Sequence, residues 1–190
     1  MANNRLQGLP PILDERARVL ILGSFPSEAS LAAGQYYAHP RNQFWKILGE
    51  ILGQPLPEMD YAAKQAAVKA AGLAIWDVYA SCERVGSLDA AIRNGTPNDF
   101  AQLKESAKRP PAAKGDLPET GAQRLRVAPR RHEAPARLQR VCFNGRTAGR
   151  FAPQIAALGF ETLILPSTSP ANASWSYAEK LAAWRAALAV

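Results

Sequence analysis

Four short apolar runs punctuate the chain, at residues 18–22, 73–78, 138–143 and 161–165. None alternates cleanly between apolar and polar positions, the pattern of strands buried on both faces of a parallel sheet. Helical spacing fills the intervals. Phe44, Leu48, Ile51 and Leu52 recur at three- and four-residue steps, and residues 62–71 form an alanine-rich stretch that stops at Gly72, a residue suited to the left-handed turn that ends a helix. Residues 147–158 read as one further helix that ends before Gly159, with Pro153 placed to kink or shorten it. Near the C-terminus Tyr177, Leu181, Trp184 and Leu188 make one apolar stripe. Ser176 and Glu179 have the spacing of a capping box for that helix, with Asn172 and Ser174 as rival caps. Strand alternating with helix predicts an α/β fold with helices on both sides of a parallel sheet. Ligands in such folds gather beyond the carboxyl ends of the strands. Four loops rich in polar or small residues fall at that edge: 23–27, 77–81, 144–146 and 166–173.

Composition narrows the class. The chain has 190 residues and 47% hydrophobic content, which suits one globular domain with a real core. No apolar run approaches the roughly 18 residues that span a bilayer. The opening Met-Ala-Asn-Asn-Arg leads into no apolar signal core, so a cytoplasmic location without a membrane partner is expected. Cys82 and Cys142 stand near the ends of apolar runs and are expected as reduced core thiols. His39 and His132 form no cysteine–histidine cluster, so neither a metal nor an iron–sulfur cofactor is expected. The net charge of +7 is concentrated: residues 104–140 hold 10 Lys/Arg against 4 Asp/Glu, which is +6 of the total. A basic surplus suits a polyanion such as nucleic acid. Residues 104–137, rich in Pro, Arg and Ala and without sustained periodicity, are expected to be an insertion or disordered loop within a single domain spanning 1–190. That segment is an arm that embraces DNA, a tolerated insertion, or the product of two compensating frame shifts, since its composition resembles out-of-frame translation of GC-rich DNA.

Candidate chemistry clusters in two loops. The first is Gly23-Ser-Phe-Pro-Ser27, with Gln35-Tyr-Tyr-Ala-His-Pro-Arg-Asn-Gln-Phe-Trp45 close behind. Gly23 follows a buried strand and lets backbone approach a ligand. Pro40 is suited to the first turn of a helix, with His39 at its cap and Asn42 projecting beside free backbone N–H groups. A carboxamide there can orient a water without deprotonating it, which suits a dissociative reaction such as N-glycosidic cleavage; the alternative is that Asn42 ties down the turn. Tyr36 and Tyr37 offer an aromatic platform, worth roughly 1–3 kcal/mol per stacked base, or core packing, which must hold for one of them. His39 can donate to a leaving base or cap the helix. The second loop runs Ser167, Thr168, Ser169, Pro170, Ala171, Asn172 before a helix. Its hydroxyls and amides can hold a phosphate or simply cap that helix. Asp77 ends a strand, where it contacts a base edge or a water, or is structurally satisfied. Asn144 follows another strand and can shape the pocket floor. There is no G-x-G-x-x-G or Walker loop, which argues against dinucleotide or NTP binding. Ser24 and Ser27 lack the His–Asp partners of a serine hydrolase.

Taken in order, Gly23-Ser-Phe-Pro-Ser27, Tyr36-Tyr-Ala-His-Pro-Arg-Asn42, Phe44-Trp45 and Ser167-Thr-Ser-Pro-Ala-Asn172 resemble the uracil-DNA glycosylase superfamily, closest to its hypoxanthine-DNA (deoxyinosine) glycosylase branch. The resemblance covers about residues 18–103 and 138–190, and segment 104–137 departs from it. It implies an α/β/α sandwich on a four-stranded parallel sheet. It also implies a monofunctional DNA-repair enzyme that works without cofactor, as a monomer, on DNA containing a deaminated base. Many members keep Asp or Asn where this chain has Phe25, which argues against uracil excision by that route. The resemblance places the catalytic amide at Asn42, the stacking ring at Tyr37, a base contact at Asp77, and phosphate contacts with filling of the vacated stack at residues 167–172. It assigns Gly23, Ser24, Phe25, Pro26 and Ser27 to positioning water and cradling the nucleotide. Excision of uracil, or of thymine from G·T mismatches, and a non-catalytic nucleic-acid-binding module on the same fold are the competing expectations.

Overall fold

The structure, a computed structural model, describes residues 5–101, 103 and 138–189; the insertion expected at 104–137 lies outside the described residues. Strands β2 (Val19–Gly23), β3 (Leu73–Asp77), β6 (Arg140–Asn144) and β7 (Glu161–Leu165) form a parallel sheet in the order β3-β2-β6-β7. All four lie on the expected apolar runs. In β2 the lack of alternation has the expected cause, whereas β7, at the sheet edge, leaves Glu161 and Ile164 exposed. Val19 and Ile21 face one core cluster, and Leu20 and Leu22 face the other. Each such side chain, fully buried, contributes about 1.5–3 kcal/mol.

Helices cover both faces. On one side lie α2 (Phe44–Leu52), α3 (Tyr61–Ala70) and α6 (Tyr177–Leu188), which bury Phe44, Val68 and Trp184 against the sheet. Asp60 caps α3 by accepting the Ala63 N–H at 2.7 Å, and Gly72 takes a φ of 69° just past its end. Ser176 is the cap of α6, and it forms the full reciprocal box with Glu179. On the other side lie two short helices, α4 (Arg146–Gly149) and α5 (Ala152–Ala156). The single helix expected over 147–158 is therefore interrupted. Pro153 has no N–H to offer the preceding turn and sits in the first turn of α5 instead.

A second sheet was not visible in the hydrophobic pattern. Strands β1 (Arg5–Gln7), β4 (Tyr79–Glu83) and β5 (Arg93–Pro97) pair antiparallel in the order β1-β4-β5. Segment 77–81, expected as a loop, thus runs straight from β3 into β4. Tyr-Ala-Ser-Cys-Glu and Arg-Asn-Gly-Thr-Pro carry no apolar run, and their extended form comes from pairing with each other and with β1. Helix α1 (Glu28–Ala33) follows β2.

Candidate active site

The carboxyl end of β2 turns through Ser24, Phe25 and Pro26, all buried, into α1. The small sheet holds this loop. Ser24 Oγ donates to Asp89 Oδ1 at 2.5 Å, and Arg84 Nη2 donates to the Pro26 carbonyl at 2.5 Å. The Arg84 guanidinium also lies 5.1 Å from the centre of the Phe25 ring. Ser27 has a helical duty: its Oγ caps α1 by accepting the Ser30 N–H at 3.2 Å.

Gly23 pairs with Asp77 across β2 and β3. A Cβ on Gly23 would collide with Asp77 Oδ1 and stand 3.2 Å from the Tyr37 hydroxyl. The bare Cα therefore lets a carboxyl and a phenol share one buried corner. Asp77 Oδ2 and Tyr37 Oη are both buried without a hydrogen-bond partner among the described residues, an arrangement that proteins rarely leave outside functional sites. Burial, aided by the charge of Asp89 and opposed by Arg84, pushes the Asp77 carboxyl up to about 8. At neutral pH it is predominantly protonated, so it presents one donor and one acceptor. Burial likewise raises the Tyr37 phenol far above its usual range, with the Asp77 charge adding and the Asn144 amide opposing.

Tyr37 has a φ of 55°, a left-handed conformation rare for a ring-bearing residue. Phe44 stacks on it with centroids 3.8 Å apart and planes 20° apart, which fixes the ring. Tyr36 is the core member of the pair. Its hydroxyl donates to the Leu9 carbonyl at 3.0 Å and its backbone N–H donates to Tyr61 Oη at 3.0 Å.

Helix α2 begins at Phe44, later than the start expected at Pro40. Asn42 is the reason. Its Oδ1 accepts the Phe44 N–H at 3.0 Å, while its own N–H donates to the His39 carbonyl at 2.8 Å. Residues 39–42 are consequently a turn, and His39 is not a helix cap; its Nδ1 accepts the Arg41 N–H at 3.2 Å. The Asn42 amide nitrogen makes no hydrogen bond among the described residues. The next residue, Gln43, donates its N–H to the Thr168 carbonyl at 3.0 Å. The two loops singled out in the sequence therefore meet beside Asn42.

Within the second loop Thr168 is fully buried. Its N–H donates to Asn144 Oδ1 and its Oγ1 accepts from Asn144 Nδ2, both at 2.9 Å. Asn144 thus pins this loop to the end of β6. Ser167 Oγ accepts the Ser169 N–H at 3.2 Å, Ser169 Oγ accepts the Ala171 N–H at 3.2 Å, and Asn172 Nδ2 closes the loop on the Ser167 carbonyl at 3.0 Å. Pro170 and Ala171 are left exposed at its apex.

Three contributors escaped the sequence reading. Lys180 is buried on α6, and its Nζ donates to Gln43 Oε1 at 3.1 Å and to the Asn172 carbonyl at 2.8 Å, bridging both loops. Burial pushes its pKa down. Its signal was present: Lys180 lies three residues after Tyr177 and four before Trp184, on the apolar face of the helix. Arg84 and Asp89 gave no comparable signal, since they reach the first loop from 58 and 65 residues away in sequence. Arg84 is only 5% exposed, and its Nε and Nη1 lack hydrogen-bond partners among the described residues.

Comparison with known proteins agrees with this architecture. The model of the Uracil DNA glycosylase superfamily matches residues 10–188. The hypoxanthine DNA glycosylase of Methanosarcina acetivorans is 35% identical over 170 residues, 90% of either chain. That of Methanosarcina barkeri is 35% identical over 166 residues, 87% of either chain. The solution NMR structure of a candidate uracil DNA glycosylase from Methanosarcina acetivorans superposes with a TM-score of 0.74 at 34% identity, covering 97% of this chain and 96% of that one.

Proposed function

The chain belongs to the uracil DNA glycosylase superfamily, and from that premise we propose that it is a monofunctional DNA glycosylase that releases hypoxanthine from deoxyinosine in DNA. The observation that carries the base preference is the pair of relatives, both hypoxanthine DNA glycosylases, that align with about nine-tenths of the chain. The corner formed by Gly23, Tyr37 and Asp77 supports it, since it holds unpaired polar atoms suited to the edge of a flipped base.

The everted base stacks on the face of Tyr37 that Phe44 does not cover. Extrusion costs a few kcal/mol, least for a mispaired or unpaired base. The protonated Asp77 carboxyl presents a donor and an acceptor to the lactam edge of hypoxanthine, whose N–H and C=O lie side by side. As the C1′–N9 bond lengthens, its electron pair moves onto the base. The hydrogen bond from Asp77 then strengthens against the growing negative charge. The sugar acquires oxocarbenium character, which the DNA phosphates stabilise. Asn42 Oδ1 keeps a second lone pair beside its bond to the Phe44 N–H, and with the free amide it orients a water toward C1′. The water oxygen bonds C1′ and sheds a proton, and the base leaves protonated, giving free hypoxanthine and an abasic site. Pro170 and Ala171, at the exposed apex of the second loop, fill the vacated stack while that loop holds phosphate. The chain acts on DNA as a monomer, in the cytoplasm.

The test is single-turnover release of free base from duplexes carrying one deoxyinosine, deoxyuridine, deoxyxanthosine or G·T pair. Deoxyinosine is expected to react fastest. Faster release of another base overturns the preference, and release of none overturns the enzyme reading.

A further inference from the structure

We propose that the turn at residues 85–88, between β4 and β5, is a second DNA-engaging element: an apolar wedge that enters the base stack beside the everted nucleotide. This rests on the glycosylase reading above. Four large apolar side chains are exposed among the described residues, and two of them, Val85 at 87% and Leu88 at 62%, stand in this one turn. Folding alone does not call for them there, because neither packs into a core.

The turn is fastened to the candidate active site rather than to a remote surface. Glu28 donates its N–H to Ser87 Oγ at 3.0 Å, and Gly86 donates its N–H to Glu28 Oε1 at 3.0 Å. Arg84 and Asp89, the residues on either side of it, hold the Pro26 carbonyl and Ser24 Oγ. The turn therefore shares its footing with the loop at the carboxyl end of β2. Sheet order gives its side. β4 continues directly from β3, which forms one edge of the parallel sheet, whereas residues 167–172 follow β7 at the opposite edge. The two elements thus flank the β2 loop from opposite directions.

Position selects the occupant. Glu28, Asp89 and Arg84 are each taken up by the fold, the carboxylates accepting from Gly86 N–H and Ser24 Oγ and the guanidinium donating to the Pro26 carbonyl, so the turn meets the lesion with its tip. The tip itself is apolar. Aliphatic wedges of this kind enter between base steps and offset the cost of unstacking by kinking the duplex. Base stack, not DNA backbone, is the surface that matches.

The experiment compares the full chain with a Val85→Ser, Leu88→Ser variant, using unchanged thermal unfolding as the control for folding, since both side chains are exposed. Base release from a duplex with deoxyinosine opposite cytosine is expected to fall at least about tenfold, while release from the same strand unpaired is unchanged. A 2-aminopurine placed next to the lesion is expected to brighten when wild type binds and to stay dark with the variant. Equal loss on both substrates, no loss on duplex, or a wild-type dimer that the substitutions dissociate overturns the wedge. Absence of base release by wild type on every substrate marks failure of the glycosylase reading instead. The 2-aminopurine signal then decides the wedge alone: brightening lost in the variant supports it, and no brightening with wild type refutes it.

Discussion

Replacing Asp77 by Asn keeps shape and hydrogen-bonding capacity but removes the ionisable group from the buried corner. In the folded protein the Asp77 pKa is pushed up to about 8 from an ordinary 3.8, by burial first and Asp89 second, with Arg84 opposing. The folded chain keeps a proton there that the unfolded chain has released over most of that range. Stability therefore falls as pH rises from the unfolded pKa to the folded one, and the loss levels off above about 8. Each pH unit is worth about 1.4 kcal/mol, so the whole window amounts to something on the order of 6 kcal/mol. The Asn variant does not titrate. Its stability advantage over wild type is expected to widen by about 1.4 kcal/mol per unit between pH 5 and 8 and then to flatten. Urea unfolding of both proteins at pH 5, 6, 7, 8 and 9 measures the gap directly. Parallel stability curves would mean that Asp77 is ionised in the fold, and the neutral-donor role in catalysis would fall with it. The catalytic corollary is a wild-type rate that declines above pH 8 and a variant rate, lower at pH 7, that does not.

Asn42→Ala is expected to slow base release at least about 100-fold with little change in DNA affinity, measured by single-turnover kinetics and fluorescence anisotropy; matched losses in both would refute the water-orienting role. The same change removes the acceptor for the Phe44 N–H and is expected to lower stability by about 1 kcal/mol, read from the urea midpoint. Gly23→Ala drives a methyl into Asp77 Oδ1 and toward the Tyr37 hydroxyl, so activity is expected to be lost from a protein whose circular dichroism shows the native fold; an active variant would show that the corner yields. Arg84→Met removes the cation that lowers the Asp77 pKa, and the alkaline limb of the rate profile is expected to move to higher pH. DNA binding is expected to weaken steeply as salt rises, with a log–log slope that counts the phosphate contacts; a flat response would argue against backbone contacts.

The hydrophobic pattern determined the parallel sheet, because central strands buried on both faces must be apolar at consecutive positions, and residues 19–22 and 73–76 are. It also determined α6, whose stripe and Ser176–Glu179 box are local. The motifs singled out residues that the fold brings together: Gly23, Tyr37 and Asp77 meet in one corner, and Asn42 adjoins the loop at Thr168 through Gln43. Tertiary structure decided what each of them does there. Asn144 and Thr168 bond each other, and Ser27 caps a helix, because a polar atom takes the nearest partner that the fold supplies. The second sheet, with Arg84, Asp89 and the exposed turn between them, was decided by pairing between segments distant in sequence. Such pairing leaves no periodic trace, since its stability comes from partners rather than from the composition of either strand. Protonation of Asp77 was likewise beyond the sequence, for desolvation depends on everything packed around a carboxyl and on nothing written beside it.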